Sequence, residues 1–135
     1  MISIPVKVFK NGSKSDAEQI KSDKEYLKKL QYVLKNDLLN SVKAFTNERE
    51  NLKNFINKSD YIHIDDQYLI KKCKEMLDNS SKLAKKISKY KEIKDVRCSS
   101  FKEMYNVYSL ISEINNNISI MRSYNVQLTR YSKVD

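Results

Sequence analysis

Between residues 20 and 56 the apolar side chains recur at steps of three, four or seven, at Ile20, Leu27, Leu30, Leu34, Leu38, Val42, Phe45, Leu52 and Ile56. That spacing gathers on one face of an α-helix and on no face of a strand, so it predicts one long amphipathic helix over residues 15–57. Ser15-Asp16-Ala17-Glu18 has the form in which a serine oxygen and a glutamate satisfy the orphan donors of a helix start. Three consecutive steps of four, from Leu30 to Val42, depart from a strict heptad and predict a local relaxation of any left-handed supercoil.

Two further stripes follow. Leu69, Cys73, Met76, Ser80, Leu83, Ile87 and Tyr90 alternate steps of four and three, which predicts a helix over 66–94. Asp65 is the expected N-cap, with Ile64 and Leu69 as a hydrophobic staple. Val107, Ile111, Ile114, Ile118, Met121, Asn125 and Leu128 repeat the four-three alternation without a slip and predict a helix over 100–131, entered through Ser100-Phe101-Lys102-Glu103. Asn125 is the polar member of that seam, a position that can fix register or oligomeric state. The connections at Asn57–Asp60 and Asp95–Ser99 are short, and short connections favour antiparallel neighbours. The expected fold is therefore all-α, a long antiparallel three-helix bundle or coiled coil over residues 15–135.

Residues 1–14 read differently. Ile2, Ile4, Val6 and Val8 alternate with Ser3, Pro5, Lys7 and Phe9, the period of an extended segment, and Asn11-Gly12 supplies a turn. This short N-terminal segment is expected to lie along the chain's own helices. Pairing with the extended pattern at Tyr61–Ile64, or adding to a partner's sheet, are the alternatives.

Composition narrows the picture further. The 135 residues include one glycine and one proline, Gly12 and Pro5, too few for the tight turns of a β-sheet protein. No apolar run approaches the ~18 residues of a membrane span, and the apolar start has no basic leader ahead of it. Two cysteines are far fewer than a disulfide scaffold carries. A reducing, cytoplasmic setting is expected.

Catalytic apparatus is hard to find. His63 with Asp65 and Asp66 is the one grouping that suggests metal or acid-base chemistry, but zinc requires a third and usually a fourth ligand, and helix entry explains both aspartates. Cys73 sits on a seam, where thiols act as small hydrophobes. Cys98 lies beside Arg97, which would favour its thiolate, yet no histidine stands near it in sequence. One glycine cannot make a phosphate-binding loop. The expectation is a chain without enzymatic activity, cofactor or metal.

Helix lengths supply the main functional hint. At 1.5 Å per residue the three helices would extend about 60, 45 and 48 Å, so one end of the first is unmatched and would expose apolar surface. The candidate partner-binding residues are Phe45, Leu52, Phe55 and Ile56 at the far end of the first helix, with Met121 and Leu128. These point to a non-enzymatic helical protein–protein interaction module: a structural subunit, an adaptor, or a homo-oligomer. The net charge of +9 supports a second reading, nucleic-acid binding by Lys71, Lys74, Lys82, Lys85 and Lys89 opposite the second seam. Against it stand Glu75, Asp78 and Glu92 on the same helix, and a cation set that is almost all lysine, with arginine only at Arg49, Arg97, Arg122 and Arg130.

Overall fold

The computed structural model describes residues 16–58 and 66–132. It contains α1 (Asp16–Asn57), α2 (Gln67–Ser88), a short 3-10 turn (Ile93–Asp95) and α3 (Phe101–Ser132), with no strand among the described residues. The all-α, three-helix architecture expected from the periodicity is the one observed. The Ile2–Phe9 segment, the Ser15 cap, Tyr61–Ile64, His63 and Asp65 lie outside the described residues.

Cross-helix hydrogen bonds fix the directions. Ser41 Oγ donates to Asn115 Oδ1 at 2.9 Å and Asn125 Nδ2 to Glu48 Oε2 at 2.8 Å, so α1 and α3 run parallel. Arg49 Nε donates to Ser80 Oγ at 2.9 Å, Lys86 Nζ to Glu113 Oε2 at 3.3 Å and Tyr131 Oη to Asp66 Oδ2 at 3.4 Å, so α2 runs opposite to both. The principal seam joins α1 to α3, with α2 laid along one side of it.

Every position of the predicted α3 seam, from Val107 through Leu128, is buried, and Met104 and Leu110 join it. In α2 the buried set is Leu69, Cys73, Met76, Ser80 and Leu83. In α1 it is Leu30, Leu34, Leu38, Ser41, Phe45 and Leu52. Each large member contributes about 1.5–3 kcal/mol by leaving water. The α1 stripe differs from the purely apolar reading in its middle: Ser41 takes the buried place, while Val42 sits half-buried on the flank. From Leu38 the line runs through Ser41, Phe45, Glu48 and Leu52, restoring four-three spacing. The two polar members persist because α3 satisfies them, Ser41 through Asn115 and Glu48 through Asn125 and Arg122.

Two boundaries moved. Asp66, not Asp65, caps α2, its Oδ1 accepting from the Leu69 N–H at 3.0 Å. The second helix stops at Ser88 rather than near Lys94, and Tyr90 leaves the seam. Glu92 adopts an extended backbone, and its N–H donates to Asp95 Oδ2 at 3.0 Å, a reciprocal cap that starts the 3-10 turn. That turn brings Val96 and Cys98 into the core, with Cys98 Sγ 3.9 Å from Gln31 O.

The result is a tapered body. All three helices overlap around α1 residues 41–57. The connector and α3 accompany α1 from about Leu30 to Leu38. Before that no other described helix lies beside α1, and Ile20 is 56% exposed.

Candidate interaction surfaces

The taper decides where the sequence candidates fall. Phe45, Leu52, Met121 and Leu128 are at most 2% exposed and belong to the chain's own core. Phe55 and Ile56 are half-buried against it. The polar pairs at Arg49–Ser80 and Glu48–Asn125 register α2 and α3 on the C-terminal part of α1, so among the described helices it is the N-terminal end of α1 that has no helical neighbour. Only Phe55 and Ile56 of the six retain surface at which a partner could touch them.

A different surface emerges on the side of the α1–α3 seam away from α2. Arg49 of α1 and Glu113 of α3 turn toward α2. On the opposite flank of α3 stand Phe101, Tyr105, Tyr108, Asn115, Arg122 and Val126, at steps of four, three and seven that keep them on one stripe. Val33, Ala44, Asn51 and Phe55 form the facing flank of α1. Between the two flanks, at the C-terminal end, lies a shallow cavity of about 640 Å³ lined by Glu48, Asn51, Phe55, Arg122, Val126 and Arg130 among others. Val33 is 41%, Phe101 69%, Tyr105 68% and Val126 51% exposed. The sequence signal was available in α3, where Phe101, Tyr105 and Tyr108 share a face just outside the seam. Which side α2 would leave open is not written in any one helix.

The electrostatics of this flank centre on Glu48. Its carboxylate accepts from Arg122 Nε at 3.0 Å and from Asn125 Nδ2, and the Asn125 amide also donates to Glu48 O at 3.0 Å. Asn125 Oδ1 is buried and receives no hydrogen bond. Asn125 therefore acts within the chain's own seam, between α1 and α3. An unsatisfied buried acceptor costs about 1–3 kcal/mol, and the two amide donations offset it.

The five α2 lysines, Lys71, Lys74, Lys82, Lys85 and Lys89, are all exposed. Their steps of three, eight, three and four place them on one line about 27 Å long. Asp78 stands on that line, in the eight-residue gap, and lowers its charge at the centre. Lys72 and Lys86, just off the line, pair with Glu75 and Glu113.

Both cysteines are buried and free. Burial, and secondarily the Asp66 carboxylate, raises the Cys73 thiol to about 11. Burial also raises Cys98 above its ordinary value and outweighs the opposing pull of Lys35. The thiolate expected beside Arg97 is therefore not favoured: Arg97 is exposed while Cys98 turns inward. Among the described residues no three His, Cys, Asp or Glu side chains are grouped as a metal site would require, and no described helix is long and apolar enough to cross a membrane.

Compared with protein families, curated proteins and solved structures, the chain matches none.

Proposed function

We propose that this protein is a non-enzymatic helical protein–protein interaction module, a structural subunit, adaptor or self-associating component of a larger assembly, and that it works through the open flank of the α1–α3 seam. The observation that carries the reading is the asymmetry of the bundle. One side of the principal seam is closed by α2, and the other exposes Val33 of α1 and Phe101, Tyr105 and Val126 of α3. Scattered exposed apolar residues are ordinary; apolar and aromatic residues aligned beside a two-helix groove are what a docking helix requires. Tyrosine and arginine, both present here, are enriched at such interfaces.

The test is site-specific photocrosslinking in cells that make the protein. A benzophenone amino acid placed at Tyr105 should capture a discrete species, a second copy or a different protein. The same probe at Asn79, exposed on α2, should capture none. Equal capture at both sites, or none at either, would remove the flank from consideration.

The exposed α2 lysine line supports the second reading, nucleic-acid binding. It predicts tight binding to duplex DNA or single-stranded RNA at about 50 mM salt and a steep loss by about 200 mM. Changing Lys82, Lys85 and Lys89 together to glutamate should abolish it. No binding at the lower salt would leave the charge as solvated surface.

A further inference from the structure

Where α2 stops at Ser88 and the connector bends away, the bundle leaves a hollow of about 500 Å³ between α1, the end of α2 and the 3-10 turn. Leu38 and Leu110 form its floor, both at most 6% exposed. Val42, Ile87 and Ile93 form half-buried walls, and Leu39 and Tyr90 the lip. The hollow is distinct from the flank described above, since it lies on the α2 side of α1.

Its mouth has the opposite character. Lys91 and Lys94 line it, and Lys35 of α1 donates to the Lys94 carbonyl beside it at 3.3 Å. Of the nearby carboxylates, Glu92 pairs with Lys94 at 3.1 Å and Asp95 is engaged on the Glu92 N–H. The balance at the mouth is cationic, with the Lys91 ammonium in no ion pair among the described residues. An apolar floor beneath a lysine rim complements a molecule with an apolar tail and an anionic head.

We propose that this hollow is a binding site for a single-chain anionic amphiphile, a medium- to long-chain alkyl carboxylate, with its tail against Leu38, Val42, Ile87 and Ile93 and its head at Lys91. The volume favours this occupant over the anchor side chain of a docked acidic peptide. It falls within the range of small-molecule sites, about 300–1,000 Å³, whereas one leucine or phenylalanine would leave most of it empty. The anchoring reading is an outcome of the test below.

The experiment titrates the full chain with alkyl carboxylates of six to sixteen carbons, below their aggregation concentrations, and reads binding by calorimetry and by amide shifts of Leu39 and Ile93. Each added methylene should tighten binding about fourfold, the equivalent of roughly 0.8 kcal/mol per buried methylene, up to about twelve carbons. Lys91→Glu should weaken the carboxylates at least tenfold and leave the alcohols of the same length unchanged. Val42→Trp, which fills the hollow, should abolish binding, and Ile93→Ser gives a second variant should Val42→Trp not fold. Three results would overturn the proposal: chain-length dependence ending at four or five carbons, as for a side-chain anchor; alcohols binding as well as carboxylates; or shifts spread over the surface lysines with no response at Ile93.

Discussion

Leu52 separates a core residue from a partner-binding one. It is 0% exposed, so Leu52→Ala removes three carbons from a filled interior. At about 0.8 kcal/mol per methylene the transfer loss is about 2.4 kcal/mol. Incomplete collapse of the surrounding helices adds a cavity contribution, for a total of about 3 kcal/mol. Alanine's better helix propensity returns only a few tenths. For a chain of this length a loss of that size lowers the melting temperature by about 12 °C. Val126→Ala, at a position 51% exposed, should stay within about 0.5 kcal/mol. The assay is urea denaturation followed by circular dichroism, which should show a lower midpoint at unchanged slope for Leu52→Ala. A Leu52→Ala shift below about 1 kcal/mol, or one matched by Val126→Ala, would refute the core assignment and return Leu52 to the surface.

The remaining predictions concern the polar seam and the thiols. Arg49→Met and Ser80→Ala should each destabilise by about 1–2 kcal/mol, and the double variant by less than their sum, because one hydrogen bond links the pair; strict additivity would contradict the contact. Asn125→Asp places a second carboxylate against Glu48, raising the new group's pKa in the fold. The variant should be weakened at pH 7 and recover as pH falls towards about 4, where the folded state holds the extra proton; a variant equally stable at both pH values would argue against the placement of Asn125. The Cys73 thiol is raised from its ordinary value near 9 to about 11, so its contribution is full below pH 9 and is lost as pH rises through about 11. That is a loss on the order of 2–3 kcal/mol, read as the difference between the wild type and Cys73→Ala across that window. Neither Cys73 nor Cys98 should react with a thiol reagent in the native protein, and both should react in urea; rapid native labelling of either would show that it is not enclosed.

The helices were legible in the sequence because their periodicity is a local property. All seven α3 seam positions are buried because each had only to keep pace with one face. What escaped reading is tertiary. Val42 looked like the central residue of the first stripe because hydrophobicity alone cannot show that Ser41 and Glu48 meet Asn115 and Asn125 across the seam. The end of α2 is overextended in the sequence reading because no glycine or proline marks it; beyond Lys89 the chain is held instead by the Glu92–Asp95 cap and by the burial of Val96 and Cys98. The length mismatch was sound, but its location depended on the register of three helices, and so Phe45, Leu52, Met121 and Leu128 proved internal. The exposure of Phe101 and Tyr105 depends on which flank α2 leaves open, and no single helix carries that information.

The parallel pairing of α1 with α3 also shapes how the chain comes to be folded. Ser41 and Asn115 are 74 residues apart, and Leu52 and Leu128 similarly so. A helical protein would ordinarily fold fast through near-neighbour contacts, but this principal seam is a non-local one. During synthesis at about 5–20 residues per second, each stretch of the α1 apolar face waits roughly 4–15 seconds for the stretch of α3 that covers it, 74 residues later. Through that interval α2 is the only helix available to shield it, and only along its last turns. A newly made chain is therefore exposed to aggregation along Leu30, Leu34 and Leu38 for longer than a simple helical hairpin would be.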